Sequence, residues 1–251
     1  MSCQEWLPFI DEWKAVLDER PQIEYFKMKE ARSCSGQFAR LSTTDRNRKV
    51  QRLVSVILNN KPTTLQSAVP YEAYEAEFKG RIAKGMDYPY FLAYYEVIGV
   101  WLRYQYFNGP KNQKVSFVFD EQMKEGDFAQ SAWNFAADTM PKALQPLLGG
   151  RPTHRDERAF VPLQAADMMA WHVRREYAER SHGRQFDDPV WKALRSLPRA
   201  EGEMSRERLV KIAKGVKASG LVFEYDVPPR LRKMLKRLLA EERADRKRWE
   251  K

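Results

Sequence analysis

The stretch from Phe160 to Arg175 reads Phe-Val-Pro-Leu-Gln-Ala-Ala-Asp-Met-Met-Ala-Trp-His-Val-Arg-Arg, and it constrains the fold most. Pro162 suits the first turn of a helix, where a missing N–H costs nothing. From there Leu163, Ala166, Ala170, Val173 and Tyr177 recur at helical spacing as one apolar stripe. The small Ala166 and Ala170 would let that stripe approach a neighbouring sheet closely. At about 100° per residue, Asp167 falls on the flank of the stripe and should be partly buried. A carboxylate there is costly unless something positive or hydrogen-bonding meets it. Two partners fit the residues: a basic side chain such as Arg174 or Arg175, or a metal ion.

A second acid stands at the end of a different pattern. Lys114 to Asp120 reads Lys-Val-Ser-Phe-Val-Phe-Asp after the turn signal Asn108-Gly109-Pro110. Val115, Phe117 and Phe119 would line one face and Ser116, Val118 and Asp120 the other. So many strand formers predict an interior strand covered on both faces. Asp120 then sits at its C-terminal tip, where α/β sheets tend to place functional groups. Together the two acids suggest a metal site, because Mg²⁺ takes a few carboxylates and keeps waters.

These residues resemble a known family. Val118-Phe119-Asp120-Glu121 and Pro162-Leu163-Gln164-Ala165-Ala166-Asp167, with Ala170-Trp171 and Arg174-Arg175, are similar to the family called domain of unknown function 3800. Tyr25-Phe26-Lys27-Met28-Lys29-Glu30 resembles its Phe-His-Met-Lys-Glu segment, with Lys27 where a His is usual. The likeness runs over residues 4–180. It implies a ribonuclease H-like fold, with Asp120 as the middle-strand acid, Asp167 as the late-helix acid and Glu30 as a third ligand. It also implies metal-assisted phosphodiester hydrolysis, with two Mg²⁺ ions roughly 4 Å apart activating water and stabilising the leaving oxygen. The family usually opens with a strand carrying Asp-Asp-Ser-Gly or Asp-Glu-Ser-Gly, and no such run occurs here. On that likeness the N-terminal strands are missing. The strand at Lys114–Asp120 should then expose an edge, and the chain as written should be inactive.

The rest of the chain supplies context. The net charge is +10 and the pI about 9.5 over 251 residues, a balance that favours polyanion partners and says nothing of fold. Two cysteines make neither a disulfide framework nor, with three histidines, a zinc set, and a reducing cytoplasm is the simplest compartment. Acids interrupt the N-terminal apolar stretch, so it is no signal peptide. The longest apolar run, Phe91 to Leu102, is broken by Glu96 and too short to cross a bilayer.

Helices are expected over 2–19, from Arg46 to Asn59 behind a Thr43-Thr44-Asp45 cap, over Tyr71 to Lys84, and from Pro89 to about Tyr106. Others are expected over Phe128 to Met140, Val190 to Leu197 behind Asp188, and Arg206 to Lys217. Thr63 to Val69 and Thr153 to Phe160 read as strands, the latter an edge with an exposed His154 to which no chemistry is assigned. Arg46, Arg48, Lys49 and Arg52 form a charge run, either a solvated face or a phosphate-contacting one.

Three regions follow: a ribonuclease H-like domain over 1–180, a helical extension over 181–227, and a basic amphipathic helix and tail over 228–251. Residues 230–251 hold ten Lys or Arg against four acids. Arg174, Arg175, Arg230, Lys233, Lys236 and Arg237 are the expected nucleic-acid contacts. The whole is an α/β fold, a ribonuclease H-like mixed sheet with flanking helices and a helical C-terminal extension. Its expected function is metal-dependent nuclease chemistry. The rival is a non-catalytic module that keeps the fold and binds nucleic acid or protein.

Overall fold

The computed structural model describes residues 3–80, 88–110, 113–121, 133, 137 and 140–219, without the side chains of 3 and 215–219. It is a mixed α/β structure with small parallel sheets. The helices are α1 (Cys3–Asp18), α2 (Met28–Ser33), α3 (Thr43–Asn60), α4 (Tyr71–Glu77), α5 (Pro89–Asn108), α6 (Val161–Ser181), α7 (Pro189–Leu194) and α8 (Arg206–Ser219). The strands are β1 (Thr64–Ala68), β2 (Val118–Asp120), β3 (Thr153–Arg155) and β4 (Arg199–Glu203). β1 pairs with β4 and β2 with β3, each as a two-stranded sheet. The expected helix over Phe128–Met140, the Tyr71 helix beyond Gly80, and the basic tail with Arg230, Lys233, Lys236 and Arg237 lie wholly or mostly outside the described residues.

Two compact units share the chain. The first takes residues 1–66, 119–121 and 155–200, and the second 67–118, 122–154 and 201–251. In the first, Phe9, Trp13, Val16 and Leu17 of α1 form one buried stripe, as their helical period predicts. They meet Leu53, Val54, Val56 and Ile57 of α3, Val161, Ala165 and Met168 of α6, and Trp191 and Leu194 of α7. Phe26 and Phe38 close the same core, edge to face with ring centroids 6.0 Å apart. The second unit gathers Tyr74 of α4 and Phe78 just past its end, Phe91 and Leu92 of α5, and Met204, Leu209 and Ala213 around α8. Within it Glu96 of α5, 2 % exposed, receives both guanidinium nitrogens of Arg208 at 2.5 Å and one of Arg103 at 3.2 Å.

Several expectations are corrected. Of the stripe expected on α6, Leu163 and Val173 are buried and Tyr177 is half-buried, but Ala166 and Ala170 face solvent, and Val161, Ala165, Met168 and His172 take their place on the inward face. The large Met168 and His172 fill the core better than two methyl groups, so the helix is rotated from the stripe drawn through alanines. The strand expected from Lys114 is three residues long, with Val115 bridging Leu148 in parallel, and its residues are half-buried rather than covered on both faces. The strand expected over Thr153–Phe160 stops at Arg155 and turns at Glu157–Ala159. α3 is capped by Ser42, whose hydroxyl accepts from Asp45 N at 3.0 Å. Lys49 is no part of a solvated or phosphate-contacting face. It is 3 % exposed and donates to the carbonyls of Val16 at 2.7 Å and Glu19 at 2.6 Å, closing the C-terminal end of α1. Among the described residues no helix is long and apolar enough to cross a membrane.

Candidate functional site

Gln164 builds the site. It is fully buried on α6, and its Oε1 accepts from Trp13 Nε1 at 2.9 Å and from Phe26 N at 3.0 Å. Its Nε2 donates to the Glu157 carbonyl at 3.0 Å. One amide therefore ties α1, the extended segment before α2 and the turn after β3 to the same point on α6. All its hydrogen-bonding capacity in the core is directional, so the backbones of Phe26 and Glu157 are fixed beside each other. Asp156 shapes the turn, accepting from Arg158 N at 2.8 Å.

That arrangement brings the Lys27 ammonium to the Glu157 carboxylate, where they form a hydrogen-bonded ion pair. The Lys27 side chain is 36 % exposed and that of Glu157 is 9 % exposed. The bond to Glu157 holds the lysine above its ordinary range despite burial, and the charges of Asp167 and Asp120 add to it. Burial pushes the Glu157 carboxyl up. Lys27 opposes that push, and Asp120 and Asp167 reinforce it. Four charged groups therefore act on one another: one ammonium and three carboxylates.

Asp167 is half-buried on the flank of α6, where the helical spacing puts it. Its partner is neither Arg174 nor Arg175. Oδ2 accepts from Met28 N at 2.7 Å, so Asp167 caps α2 from another helix, where Lys27 at the N-cap makes no side-chain cap of its own. Burial raises the Asp167 carboxyl. The Met28 N–H and Lys27 oppose the rise, and Asp120 and Glu30 add to it. Asp120 ends β2 half-buried, beside the backbone bond from Glu121 N to Arg155 O at 3.0 Å.

Glu30 stands in the same neighbourhood with both oxygens engaged. Oε1 accepts from the Tyr25 hydroxyl at 3.0 Å and Oε2 from Gln37 N at 2.9 Å. Gly36, at φ +51°, leaves the room: a Cβ there would lie 2.0 Å from Glu30 Oε2. Arg174 is exposed on α6, and Arg175 pairs with Glu179 at 2.5 Å. Two further arginines flank the cluster over aromatic faces, Arg158 over Tyr25 at 4.9 Å and Arg32 over Trp171 at 5.1 Å.

A divalent ion needs several free carboxylate oxygens around a cavity of its own. Here Glu30 is committed to Tyr25 and Gln37, one oxygen of Asp167 to Met28, and Glu157 to an ammonium that already stands among the acids. Among the described residues no three or more His, Cys, Asp or Glu side chains form a group that could hold a metal ion. The donor set as arranged does not fit a resident Mg²⁺ or Mn²⁺.

Sequence reasoning reached Asp120, Asp167 and Glu30, and marked Lys27 as a departure. It missed Glu157 and Gln164. The signal for Gln164 was a polar residue in the middle of an apolar helical stripe, which must bring its own partners inside. Glu157 lay in a charged run, Arg155-Asp156-Glu157-Arg158, that reads as solvent-facing, yet it is buried. No family model, no curated protein and no solved structure matches the chain.

Proposed function

We propose that this chain is a non-catalytic nucleic-acid-binding module on a ribonuclease H-like framework, in which a lysine takes the place of the cation. The observation that carries the reading is the Lys27 ammonium, bonded to Glu157 and raised further by Asp167 and Asp120. A tethered ammonium neutralises part of the acid cluster permanently and cannot polarise a phosphoryl oxygen as a metal does. The net charge of +10 then supports contact with phosphates through counterion release, without reading of sequence. Exposed Arg174 and the basic residues beyond Pro229 are the contacts in this reading.

The second reading, a Mg²⁺-dependent phosphodiesterase, is favoured by one observation: three carboxylates face one ammonium, and Asp120 raises both Asp167 and Glu157. One experiment separates the two. Labelled single- and double-stranded DNA and RNA are titrated with the protein across salt concentrations, and the same substrates are incubated with Mg²⁺ or Mn²⁺. Binding should weaken steeply with salt, truncation after Pro229 should flatten that slope, and no cleavage should occur. Mg²⁺-dependent cleavage abolished by Asp120→Asn would overturn the non-catalytic reading in favour of the second. A salt slope near zero would remove nucleic acid as the partner.

A further inference from the structure

His172 is the buried titratable group that the acid cluster does not use. It lies on α6 at 0 % exposure, inside a box of aromatic rings. Trp191 of α7 stacks on it with centroids 5.7 Å apart and planes 11° from parallel. Trp171 meets it edge-on at 5.0 Å, and Phe186 lies 6.4 Å away.

The tautomer follows from its one hydrogen bond. His172 Nδ1 is 2.8 Å from the Met168 carbonyl. A carbonyl only accepts, so Nδ1 carries the proton and Nε2 the lone pair. Nε2 is fully buried and meets no protein hydrogen-bond partner among the described residues. A neutral ring tolerates this, since a lone pair among aromatic edges loses only one weak acceptor interaction. An imidazolium would place a second N–H and a full charge at the same point with nothing to receive either.

We propose that His172 is an acid-sensitive latch of the first unit: as neutral imidazole it holds α6 against α7 and Phe186, and its protonation releases that junction. Among the described residues two charged groups act on the ring, Asp188 and Arg32. Asp188, at the N-cap of α7, attracts a protonated ring, but its Oδ1 already accepts from Val190 N at 2.9 Å and Trp191 N at 3.1 Å. Turning it toward the histidine would uncap α7. Arg32 of α2, seated over Trp171, opposes protonation. Both available responses, a naked buried charge or an uncapped helix, loosen the same contact.

The sign is fixed by burial, which lowers the His172 pKa from its ordinary 6.5, while the Met168 carbonyl and Asp188 only partly restore it. The unfolded chain therefore takes up the proton first. Stability from this residue is fully present above about 6.5 and is lost as pH falls through the lowered folded value. Glu157 and Asp167 act in the opposite sense, because their folded carboxyls are raised and hold protons more readily than in the unfolded chain.

The full-length protein tests this by urea unfolding, followed by circular dichroism, between pH 7.5 and 5. The folding constant should fall by at least about threefold across that window, and His172→Phe, which keeps the aromatic box filled, should abolish the fall. Ring NMR of the wild type provides the second measurement: the His172 resonances should remain those of a neutral ring just below the ordinary histidine value of 6.5. A wild-type folding constant that holds across the window overturns the latch. So does an equal acid loss in His172→Phe, or a His172 ring that titrates at the ordinary 6.5 in the folded chain.

Discussion

Each unit builds a charge centre, and the two are handled in opposite ways. Glu96 in the second unit is one carboxylate served by two guanidiniums. The forked contact from Arg208 uses both oxygens, and Arg103 reaches one of them again. Those arginine side chains are 39 % and 43 % exposed, so their charge is drained by solvent while the acid stays dry. Gly202 of β4 comes so close that a Cβ there would stand 2.8 Å from Glu96 Oε1. Lys27 in the first unit is one ammonium bonded to Glu157 and acted on by Asp167 and Asp120 as well, so a single cation is shared among acids. A buried charge that is saturated fixes structure and leaves nothing over for a ligand. A charge centre with an unbalanced remainder is where binding or chemistry can be sought.

The largest expected break of this contrast is Glu96→Gln. An amide cannot serve both forks of Arg208, and it leaves Arg103 and Arg208 facing each other. Urea unfolding should show a loss of about 3 kcal/mol. A loss below about 1 kcal/mol would mean that the arginines simply swing into water and that the clamp is ornamental. Gly202→Ala should come next, at about 2 kcal/mol, because the new methyl meets Val100 Cγ2 at 2.5 Å as well as the Glu96 oxygen. Equal stability of wild type and Gly202→Ala by the same measurement would show that β4 can shift away.

The contrast also explains what the sequence could disclose. Helical periodicity located α1 and α3 because each buries a stripe on one side, the long apolar run after Pro89 located α5, which is buried around its girth, and Asp188-Pro189 marked the start of α7 through cap chemistry. β2 and β3 lie inside the strands expected there but are only three residues long, and β4, reading Arg-Ala-Glu-Gly-Glu, carries no strand formers at all. It exists because β1 lies beside it, a long-range fact. Charged residues misled most. Lys49, Glu96 and Glu157 read as surface residues by type, and each is buried because distant groups satisfy it: helix-end carbonyls, two arginines, and Lys27. At the candidate site, the flank position of Asp167 was legible from spacing, but its partner is a backbone N–H 139 residues away, which no side-chain pattern announces.

Lys27→Met tests the cation in its surplus. Removing the ammonium takes the hydrogen-bonded partner from Glu157 and an opposing charge from Asp167. The lysine is 36 % exposed, so water shields part of the loss, and about 1 kcal/mol at neutral pH is the expected scale. The deficit should shrink toward pH 4, where the raised Glu157 and Asp167 carboxyls take up protons and no longer need a partner. A deficit that stays constant from pH 8 to pH 4 would show that the lysine contributes only its packed stem.

The smallest effect is the sharpest, because its sign opposes that of Glu96→Gln. Asp167 is raised above the ordinary carboxyl range, chiefly by burial, with Asp120 and Glu30 adding to it. Its folded form therefore binds a proton more readily than the unfolded chain. Stability from this carboxyl is present below its ordinary value of 3.8 and is lost as pH rises through the raised folded value. Asp167→Asn removes the charge while its Oδ1 can still accept from Met28 N and keep the cap on α2. At pH 7 the variant should thus equal or exceed the wild type in urea midpoint, by no more than about 1 kcal/mol, and the gain should vanish below pH 4. Two half-hidden or hidden acids would then respond oppositely to the same isosteric change, the saturated one losing and the surplus one gaining. A loss of more than about 1 kcal/mol in Asp167→Asn at pH 7 would break the comparison. It would mean that Lys27 depends on the Asp167 charge as firmly as Arg208 depends on Glu96, and that the acid cluster is a closed ion network with no surplus to offer.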